Sequence, residues 1–351
     1  MEPSTAALAC LPLPARVSVN GVMRPHNPQP IPDLFTLDEG RRLQFSRKRL
    51  YYSGLVIPHR GLRTAPLHPS AADRHSNSEI ARMQSRQDPS LIISHQTAAE
   101  TWGLWLPARM RTTRIHLSRV RRTAGIPRYL NTVGHFIRPL ERDVRKIGGF
   151  HITSPEWTWA DLASQGLTVE ELVAAGDALL QRPDGFPRSE RFIGNNPLAT
   201  KESIVEVVSR RKGSPGIRKL RVAVELLRER VDSERESRLR LKMVNAGWDE
   251  PIVNPRLLFA DGWECTVDLA LLLWRVALQY EGRHHFTLEK QYRSDMNRDE
   301  QIRARGWEPI RVDSEVFTRQ GWRNFELRLH RAIERQQRQP KDSWVPFEIG
   351  S

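Results

Sequence analysis

Cysteines and long apolar runs are scarce in this chain of 351 residues. The two cysteines, Cys10 and Cys265, lie so far apart in the sequence that they exclude a disulfide framework, which indicates a reducing compartment. No run approaches the roughly 20 apolar residues that span a bilayer. The nearest candidate, residues 267–280, contains charged side chains. We therefore expect a soluble, cytoplasmic protein.

Acidic residues are also outnumbered, because 41 Asp and Glu stand against 55 Lys and Arg, a net charge of +14. This surplus favours a polyanionic partner, first nucleic acid and second an acidic membrane surface. The length predicts two or three domains. A hydrophobic content of 39% without a repeat period excludes collagen-like, fibrous and wholly disordered classes.

Proline density and composition divide the chain into segments. Residues 1–32 hold seven of the 24 prolines, a density that blocks helix and sheet and predicts a disordered leader. A secretory signal peptide has basic residues before an uninterrupted apolar run. Here Glu2 comes first and prolines interrupt the apolar residues, so the sequence excludes such a signal. The predicted segments are a leader (1–32), a winged-helix-like unit (33–66), an α/β module (91–181), a linker (182–217), a third module (218–336) and a tail (337–351). The linker, which could also serve as a lid, is rich in Gly, Pro, Asn and Ser around one short helix over 201–211. The tail is expected to be polar and loose after Gln339.

The pattern of the winged-helix-like unit predicts two short helices and then an extended pair. Thr36 caps a helix that runs through Leu43, and Ser46 caps a second helix that ends at Gly54. The stretch 55–63 is expected to form a β-hairpin wing. A minimal apolar core for a helix-turn-helix is present as Phe35, Leu37, Leu43, Leu50 and Leu55.

Three basic residues, Arg47, Lys48 and Arg49, fall at the exposed start of the second of these helices. Phosphate groups are favoured at such a position by side-chain charge and by the helix dipole. A basic first turn is equally compatible with a solvated face, so both interpretations stay open for these residues.

Helical and alternating patterns predict the elements of the α/β module. Expected helices cover 94–107, 154–164 and 167–181, and expected strands cover 114–118 and 131–138. Ser94 is the expected N-cap of the first helix. Ala98, Trp102 and Trp105 are expected on the buried side of that helix.

Most of the excess charge lies within this module, in residues 109–146. Eleven basic residues stand there against two acidic ones, a local balance of +9. Uncompensated charges of this density repel one another unless an anion neutralises them, which favours a nucleic-acid contact over a solvated face. Arg119, Arg121 and Arg122 are the expected phosphate contacts.

The third module alternates predicted helices with extended stretches. Helices are expected over 217–230, 233–246, 293–305 and 321–336, and extended stretches over 263–272, 274–282 and 306–312. Asp268 lies inside the first extended stretch between apolar residues, where a carboxylate must be paired, protonated or bound to a cation. Glu281 ends the second stretch, and Glu236 lies near the start of a capped helix.

Pairing of the first two extended stretches would create an oxygen-rich site. In an antiparallel pair the period of two brings Asp268 to the same face as Gln279 or Glu281. Two acids at one end of a sheet suit Mg²⁺, which accepts one or two carboxylates, waters and phosphates. His284 and His285 adjoin Glu281, so that one acts as general acid or base; alternatively, one stacks on a neighbouring ring and the other is solvated.

The third module resembles the very-short-patch-repair-like endonuclease domain family within the PD-(D/E)XK nuclease superfamily. The pattern of that family is a helix with Ser-x-x-Glu-x-x-Leu, an Asp on a strand, Glu-x-Asp-Gly-x-x-His, Asp-x-x-Arg and a closing Gly-Trp-x-x-x-x-Val. Its positions are represented here, in order, by Ser233, Glu236, Leu239, Asp268, Gln279, Glu281, Gly282, His285, Asp295, Arg298, Gly306, Trp307 and Val312. Upstream, residues 35–63 and 94–181 resemble the winged-helix regulator part of type IV abortive-infection antitoxins.

The resemblance implies a multi-domain α/β protein, with an N-terminal winged helix, an antitoxin-like α/β module and a C-terminal restriction-endonuclease-like mixed sheet flanked by helices. It implies DNA as partner, a Mg²⁺ cofactor held by Asp268 and Glu281, and a cognate toxin as a further partner; no membrane partner is expected. The implied catalytic residues are Asp268, Glu281, Gln279, Glu236 and His285. Arg298 is the implied nucleic-acid contact, although Asp295 and Arg298 at i, i+3 also fit an ordinary surface ion pair.

Two departures from the family pattern weaken the metal site. Gln279 puts a neutral amide in place of a Glu, and Glu281 puts a longer acid in place of an Asp. A Gln carbonyl still binds Mg²⁺, but with less charge. Three hypotheses remain: a Mg²⁺-dependent DNA endonuclease, a non-catalytic DNA-binding regulator or antitoxin-like protein with a degenerate nuclease domain, and an RNA-binding protein. His95, His116 and Cys265 have no partners at metal-ligand spacing and are assigned to structure.

Overall fold

The computed structural model describes residues 34–55, 57, 61–64, 76–110, 114–120, 125–129, 131–183, 193–281 and 289–350. Within these ranges the chain is mixed α/β, with eleven α-helices and four β-sheets, so the predicted fold class is confirmed at this level. None of these helices combines the length and the apolarity needed to cross a membrane. The predicted leader and three predicted site residues, Arg121, Arg122 and His285, lie outside the described residues.

A two-stranded sheet and two short helices form the first unit. Its elements are β1 (Leu34–Thr36), α1 (Leu37–Arg42), α2 (Arg47–Leu50) and β2 (Leu62–Thr64), and β1 pairs antiparallel with β2. Thr36 caps α1 as predicted: its side chain accepts from the backbone N–H of Glu39, whose carboxylate accepts from the backbone N–H of Thr36. Ser46 caps α2 as predicted.

Three details of this unit differ from the prediction. α2 ends at Leu50, well before Gly54. Leu62 and Arg63, which were predicted to pair within 55–63, pair in β2 with Thr36 and Phe35 of β1. Leu43 is exposed, since α1 ends before it, and Phe45 takes its place in the core beside Phe35, Leu50 and Leu55.

The α/β module is built on one five-stranded sheet. Its elements are α3 (Asn77–Gln87), β3 (Ile92–Ile93), α4 (His95–Trp102), β4 (Ile115–Arg119), β5 (Thr132–Phe136), β6 (Val144–Ile147), β7 (Phe150–Thr153), α5 (Pro155–Leu162) and α6 (Val169–Asp177). The strand order is β5-β4-β3-β7-β6. All five predicted elements are present, although Gly103, at φ 75°, ends α4 early and leaves Trp105 beyond it. Strands as short as β3, β6 and β7 carry too little alternation to be predicted.

Helices α7 (Lys201–Arg210) and α8 (Ile217–Leu226) extend the core of this module. Their buried side chains join its main apolar cluster and include Ile204, Val207, Val208, Leu220, Ala223 and Val224. The linker predicted for 182–217 therefore contains a packed helix, and the boundary predicted at residue 218 lies inside a continuous core. The composition of this segment suggested a linker. The apolar faces of the two amphipathic helices pack into the core nevertheless, because burial of those faces stabilises the fold.

The third module consists of two small sheets and three helices. Its elements are α9 (Glu234–Asn245), β8 (Ile252–Val253), β9 (Arg256–Phe259), β10 (Glu264–Thr266), β11 (Leu269–Leu271), β12 (Val276–Tyr280), α10 (Glu289–Ala304), β13 (Glu308–Val312), α11 (Arg319–Arg338) and β14 (Phe347–Gly350). One sheet has the order β13-β12-β11-β8, with β12 and β13 parallel and the other pairs antiparallel. The other has the order β10-β9-β14. The stretch predicted as extended over 263–272 is thus divided between the sheets at Val267 and Asp268.

The tail is packed, in contrast to the prediction of a loose segment after Gln339. α11 continues to Arg338, and β14 pairs antiparallel with β9. Phe347 meets the buried ring of Trp307 edge to face at 5.0 Å, and the guanidinium of Arg275 lies 4.4 Å from the ring centre of Trp344. Aromatic side chains in an otherwise polar tail supply the burial that holds it.

Helix α9 connects the two larger cores. Arg240 and Asp177 of α6 are both fully buried, and their Nη2 and Oδ2 atoms are 3.3 Å apart. Ser237 also donates its hydroxyl to Asp177 at 2.7 Å. On its other side α9 packs Leu239 and Met243 against the four-stranded sheet. The residues at the start of α9 are therefore held firmly beside that sheet.

Candidate functional site

Asp268 occupies the break between β10 and β11, and both of its carboxylate oxygens accept hydrogen bonds. Oδ1 accepts from Nε2 of Gln279 at 2.8 Å, and Oδ2 accepts from the backbone N–H of Tyr280 at 2.6 Å. The antiparallel register, in which Leu269 faces Leu278, sets Asp268 beside Gln279. The antiparallel pairing predicted from the sequence is present.

The Asp268 carboxyl is only partly accessible to solvent, and burial raises its pKa to about 6. The hydrogen bonds from Tyr280 and Gln279 and the charge of Arg298 lower the pKa, whereas the negative charge of Asp232 raises it. Arg298 of α10 therefore lies within electrostatic reach of this carboxylate. Among the predicted nucleic-acid contacts that the structure describes, Arg298 is the one that lies near this site.

Glu236 lies in the first turn of α9 and is almost fully buried. Its carboxylate accepts from the hydroxyl of Ser233 at 2.7 Å, the backbone N–H of Asp232 at 3.0 Å and the side-chain amide of Asn254 at 2.7 Å. Burial, and after it the nearby charge of Asp268, raises the pKa of Glu236 to about 7. Two carboxyl groups from distant parts of the sequence thus interact electrostatically.

Glu281 is directed to the neighbouring strand. Its Oε1 accepts from Nη1 of Arg311 at 2.7 Å, and Nε of Arg311 donates to Asp299 at 2.8 Å. These bonds, first that to Asp299 and then that to Glu281, raise the pKa of Arg311. Among the described contacts none joins Glu281 to Asp268, so the two predicted metal ligands do not form a direct pair.

The oxygen donors around Asp268 have the chemistry that Mg²⁺ requires. Each Asp268 oxygen accepts one hydrogen bond and retains a second lone pair, and Gln279 uses its NH₂ group, which leaves its carbonyl oxygen available. Mg²⁺ is commonly held by one or two carboxylates together with waters and phosphates. No cluster of three or more His, Cys, Asp and Glu able to hold a metal occurs within the described ranges. The set therefore fits a Mg²⁺ ion held through one carboxylate and one amide oxygen.

The predicted nucleic-acid residues of α2 are only partly available. Arg47 and Lys48 are exposed and, with Tyr51, line a shallow surface cavity. The guanidinium of Arg49 stacks 4.1 Å from the ring centre of Phe45. A helix of four residues has little dipole to add to this charge.

Acids outside the basic segment 109–146 pair with part of its charge. Four ion pairs do this: Arg109–Glu171, Arg119–Asp88, Arg142–Glu206 and Arg145–Glu156. The premise that these charges lack counter-charges is thus wrong for these four arginines, because an argument from local sequence cannot include distant acids. Arg119 is bound to Asp88 at 2.7 Å and to the hydroxyl of Ser90 at 3.1 Å, and its side chain is 14% exposed, which leaves little of it for a phosphate.

Three histidines that the sequence assigned to structure or left unremarked form a buried cluster. The rings of His95 and His135 stack with centroids 3.7 Å apart, and Nδ1 of His116 lies 3.0 Å from Nε2 of His135. Burial lowers the pKa of His95 to about 3 and those of His116 and His135 to about 4. Only the parallel register of β4 and β5, in which Ser118 faces His135, brings them together, and no sequence spacing signals it.

Four residues of the candidate site were missed as well. Asp232, Asn254, Asp299 and Arg311 each contact or electrostatically influence a predicted site residue. Arg311 was the most accessible of them to prediction, because it alternates with apolar residues in the strand EPIRV, which places it on one face of the sheet. No protein-family model, curated protein or solved structure matches this chain.

Proposed function

We propose that this protein acts on DNA as a Mg²⁺-dependent endonuclease-like enzyme that cleaves phosphodiesters, with its site in residues 233–336. The observation that carries the proposal is the convergence of Glu236, Asp268 and Gln279. They come from a helix, a strand break and a neighbouring strand. The antiparallel register sets Asp268 beside Gln279, and Glu236 lies within electrostatic reach of Asp268 from the separate helix α9. The family pattern implied that they belong to one site.

The order of elements around these residues supports the same proposal. α9 is followed by the antiparallel pair β11 and β12, then by α10, and then by β13, which returns parallel to β12. A mixed sheet with helices α9, α10 and α11 around it is the arrangement that the restriction-endonuclease-like resemblance implies. The winged-helix-like unit, with Arg47 and Lys48 exposed on α2, is proposed as a second DNA contact.

A Mg²⁺ ion held by Asp268 and Gln279 would act as a Lewis acid on a phosphodiester oxygen and lower the pKa of a coordinated water. The chain's own residues have separate roles. Glu236, whose pKa of about 7 lies near neutral pH, holds or releases a proton beside Asp268. Arg298 supplies positive charge that favours a phosphate near Asp268, and Glu281 holds Arg311 in position.

A non-catalytic DNA-binding regulator, antitoxin-like and with a cognate toxin as partner, is the second candidate. The ion pair of Glu281 with Arg311 favours it, because this pair removes one of the two acids that the resemblance assigns to the metal. The neutral Gln279 favours it too. RNA is a further candidate ligand, since phosphate contacts do not distinguish the two nucleic acids.

A plasmid-nicking assay on the full chain separates these candidates. Supercoiled plasmid is incubated with the natural protein, with Asp268→Asn and with the control Asp342→Asn, in millimolar Mg²⁺ and in EDTA. Nicking that requires Mg²⁺, is lost in Asp268→Asn and persists in Asp342→Asn supports the enzyme. DNA binding by all three proteins with no nicking by any of them rejects the enzyme and favours the regulator.

A further inference from the structure

A cleft of about 280 Å³ lies between α10, β13 and α11, and no role described above uses it as a binding site. Five arginines and two carboxylates line it. The arginines are Arg303 of α10, Arg311 of β13, and Arg328, Arg331 and Arg335 of α11. We propose that this cleft, the arginine groove, binds the phosphate groups of a nucleic-acid backbone, an inference that rests on the proposed function and names the surface that holds the substrate strand.

The two carboxylates of the groove are already paired. Asp299 accepts from Arg311 at 2.8 Å, and Glu308 accepts from Arg335 at 2.7 Å. Arg328 donates to the backbone carbonyl of Arg311 at 3.0 Å, an acceptor that carries no charge.

Three guanidinium charges therefore face the groove without a counter-charge. Over the described part of the chain, neither Arg303 nor Arg331 lies within ion-pair distance of a carboxylate, and the bond made by Arg328 leaves its charge uncompensated. Positive charges held together in this way repel one another, and a bound anion relieves that repulsion. Guanidinium groups match the oxygens of a phosphate with paired hydrogen bonds.

The shape of the arginine groove favours a chain of phosphates over a single free one. Arg328, Arg331 and Arg335 recur at spacings of three and four on one face of α11, while the neighbouring face packs Phe325 and Leu329 into the core. At a rise of about 1.5 Å per residue, the stretch from 328 to 335 spans ~10 Å. This length exceeds the separation of two neighbouring phosphates on one strand, so the groove can contact more than one phosphate.

The arginine groove also adjoins the candidate site. Arg311 lines the groove, pairs in the β-ladder with Gln279 and donates to Glu281. Gln279 in turn donates to Asp268. A strand whose backbone lies along α11 would therefore continue toward the carboxylate that the proposed chemistry requires.

Two variants of equal net charge test the inference. Arg328→Gln with Arg331→Gln removes two groove arginines, whereas Arg319→Gln with Arg323→Gln removes two exposed arginines from another face of the same helix. Binding of a fluorescently labelled duplex to the full chain is measured by anisotropy in EDTA over a series of salt concentrations. We expect the groove variant to bind about tenfold more weakly and its slope of log K against log salt to flatten by about 1.8, or 0.9 for each phosphate contact. The control variant should keep the natural slope.

Equal losses in both variants, an unchanged slope in the groove variant, or no measurable binding by the natural chain at low salt would each overturn the inference. Competition by inorganic phosphate as strong as that by duplex, at equal ionic strength, would reassign the groove to a free anion. Since EDTA excludes Mg²⁺ chemistry, the two proposals fail separately. If the natural chain does not nick plasmid but the groove variant binds duplex more weakly, only the enzyme proposal is rejected. If the natural chain nicks plasmid but the groove variant binds duplex as the natural chain does, only the groove proposal is rejected.

Discussion

The side-chain amide of Gln279 donates a hydrogen bond of 2.8 Å to the carboxylate of Asp268. A glutamate at position 279, as in the family pattern, would instead set a second carboxylate against the first. The amide thus stabilises the partly buried Asp268 when no cation is bound, while it lowers the charge that a cation would meet. At position 279 a Gln therefore favours stability of the metal-free protein, whereas a Glu favours affinity for the metal.

Gln279→Glu should therefore make the protein less stable in EDTA and more responsive to Mg²⁺. Loss of the hydrogen bond together with like-charge repulsion should cost about 1–3 kcal/mol. Millimolar Mg²⁺ should recover most of that loss, by preferential binding to the folded state, and nicking activity should rise. Thermal midpoints of the natural chain and the variant, with and without Mg²⁺, measure both effects. Gln279→Ala is the control, since it removes the bond without adding charge and should show no recovery. A variant that is equally stable in both buffers contradicts the proposed site.

Glu236 should make stability fall as the pH rises. Burial raises its pKa from the ordinary 4.5 to about 7, so the folded chain binds a proton that the unfolded chain releases between these values. Stability from this group is complete below about pH 4.5 and is lost as the pH approaches 7, with a slope of at most about 1.4 kcal/mol per pH unit. Urea unfolding of the natural chain and of Glu236→Gln at several pH values between 5 and 8 should show a smaller decline in the variant. Parallel curves would mean that Glu236 does not titrate in this range.

The cluster of His95, His116 and His135 should make the stability of the fold fall as the pH decreases, which is opposite to the effect of Glu236. Because burial lowers their pKa values to between about 3 and 4, the unfolded chain takes up protons below its ordinary value of 6.5 while the folded chain does not. Stability from these groups is present above pH 6.5 and is lost as the pH falls toward 4. Asp161, which forms an ion pair with Arg211, opposes this trend, since burial raises the pKa of Asp161 to about 6.

Replacement of one ring of this cluster tests whether these histidines lower the stability of the fold as the pH falls. His135→Phe keeps an aromatic ring next to His95 but removes a titrating group, so the loss of stability between pH 7 and pH 5 should be smaller than in the natural chain. His330→Phe is the matched control, because His330 is exposed and contacts the ring of Trp248 outside the cluster. Urea unfolding at the two pH values gives the comparison. An acid-induced loss of the same size in His135→Phe and in the natural chain would place the proton uptake elsewhere.

The buried pair of Asp177 and Arg240 should be among the most sensitive positions for stability. Asp177→Asn would leave the guanidinium of Arg240 buried with Glu250 as its remaining carboxylate partner, at a cost of about 3 kcal/mol. The half-exposed pair of Arg256 and Glu264 provides the comparison, and Glu264→Gln should cost less than about 1 kcal/mol. The denaturant midpoints of Asp177→Asn and Glu264→Gln, each compared with that of the natural chain, measure the two costs. If both variants lose the same amount, the junction of α6 and α9 does not depend on this pair.

Much of the fold could be predicted from local sequence. The caps Thr36 and Ser233, the extents of α9 and α11 and the antiparallel pairing of the two stretches around Asp268 all follow from patterns within a few residues. The packing of α7 and α8 could not be predicted, because their partners α5 and α6 lie outside any such window. The two helices of the winged-helix-like unit were predicted, but its strand pairing was not. The paired strands β1 and β2 are separated by a long segment of the sequence, so no local pattern indicates that they pair.

The sequence by itself determined the α/β class, most helices of the second and third modules, and the placement of Asp268 and Gln279 on adjacent extended stretches. These depend on side-chain period, capping residues and short-range register, which are local. Only the tertiary structure decided that Glu281 binds Arg311, that distant acids pair with four arginines of the basic segment, that three histidines form one cluster and that arginines of α10, β13 and α11 share a groove. Charge balance and titration depend on distances through space, and these follow from packing between elements far apart in the chain.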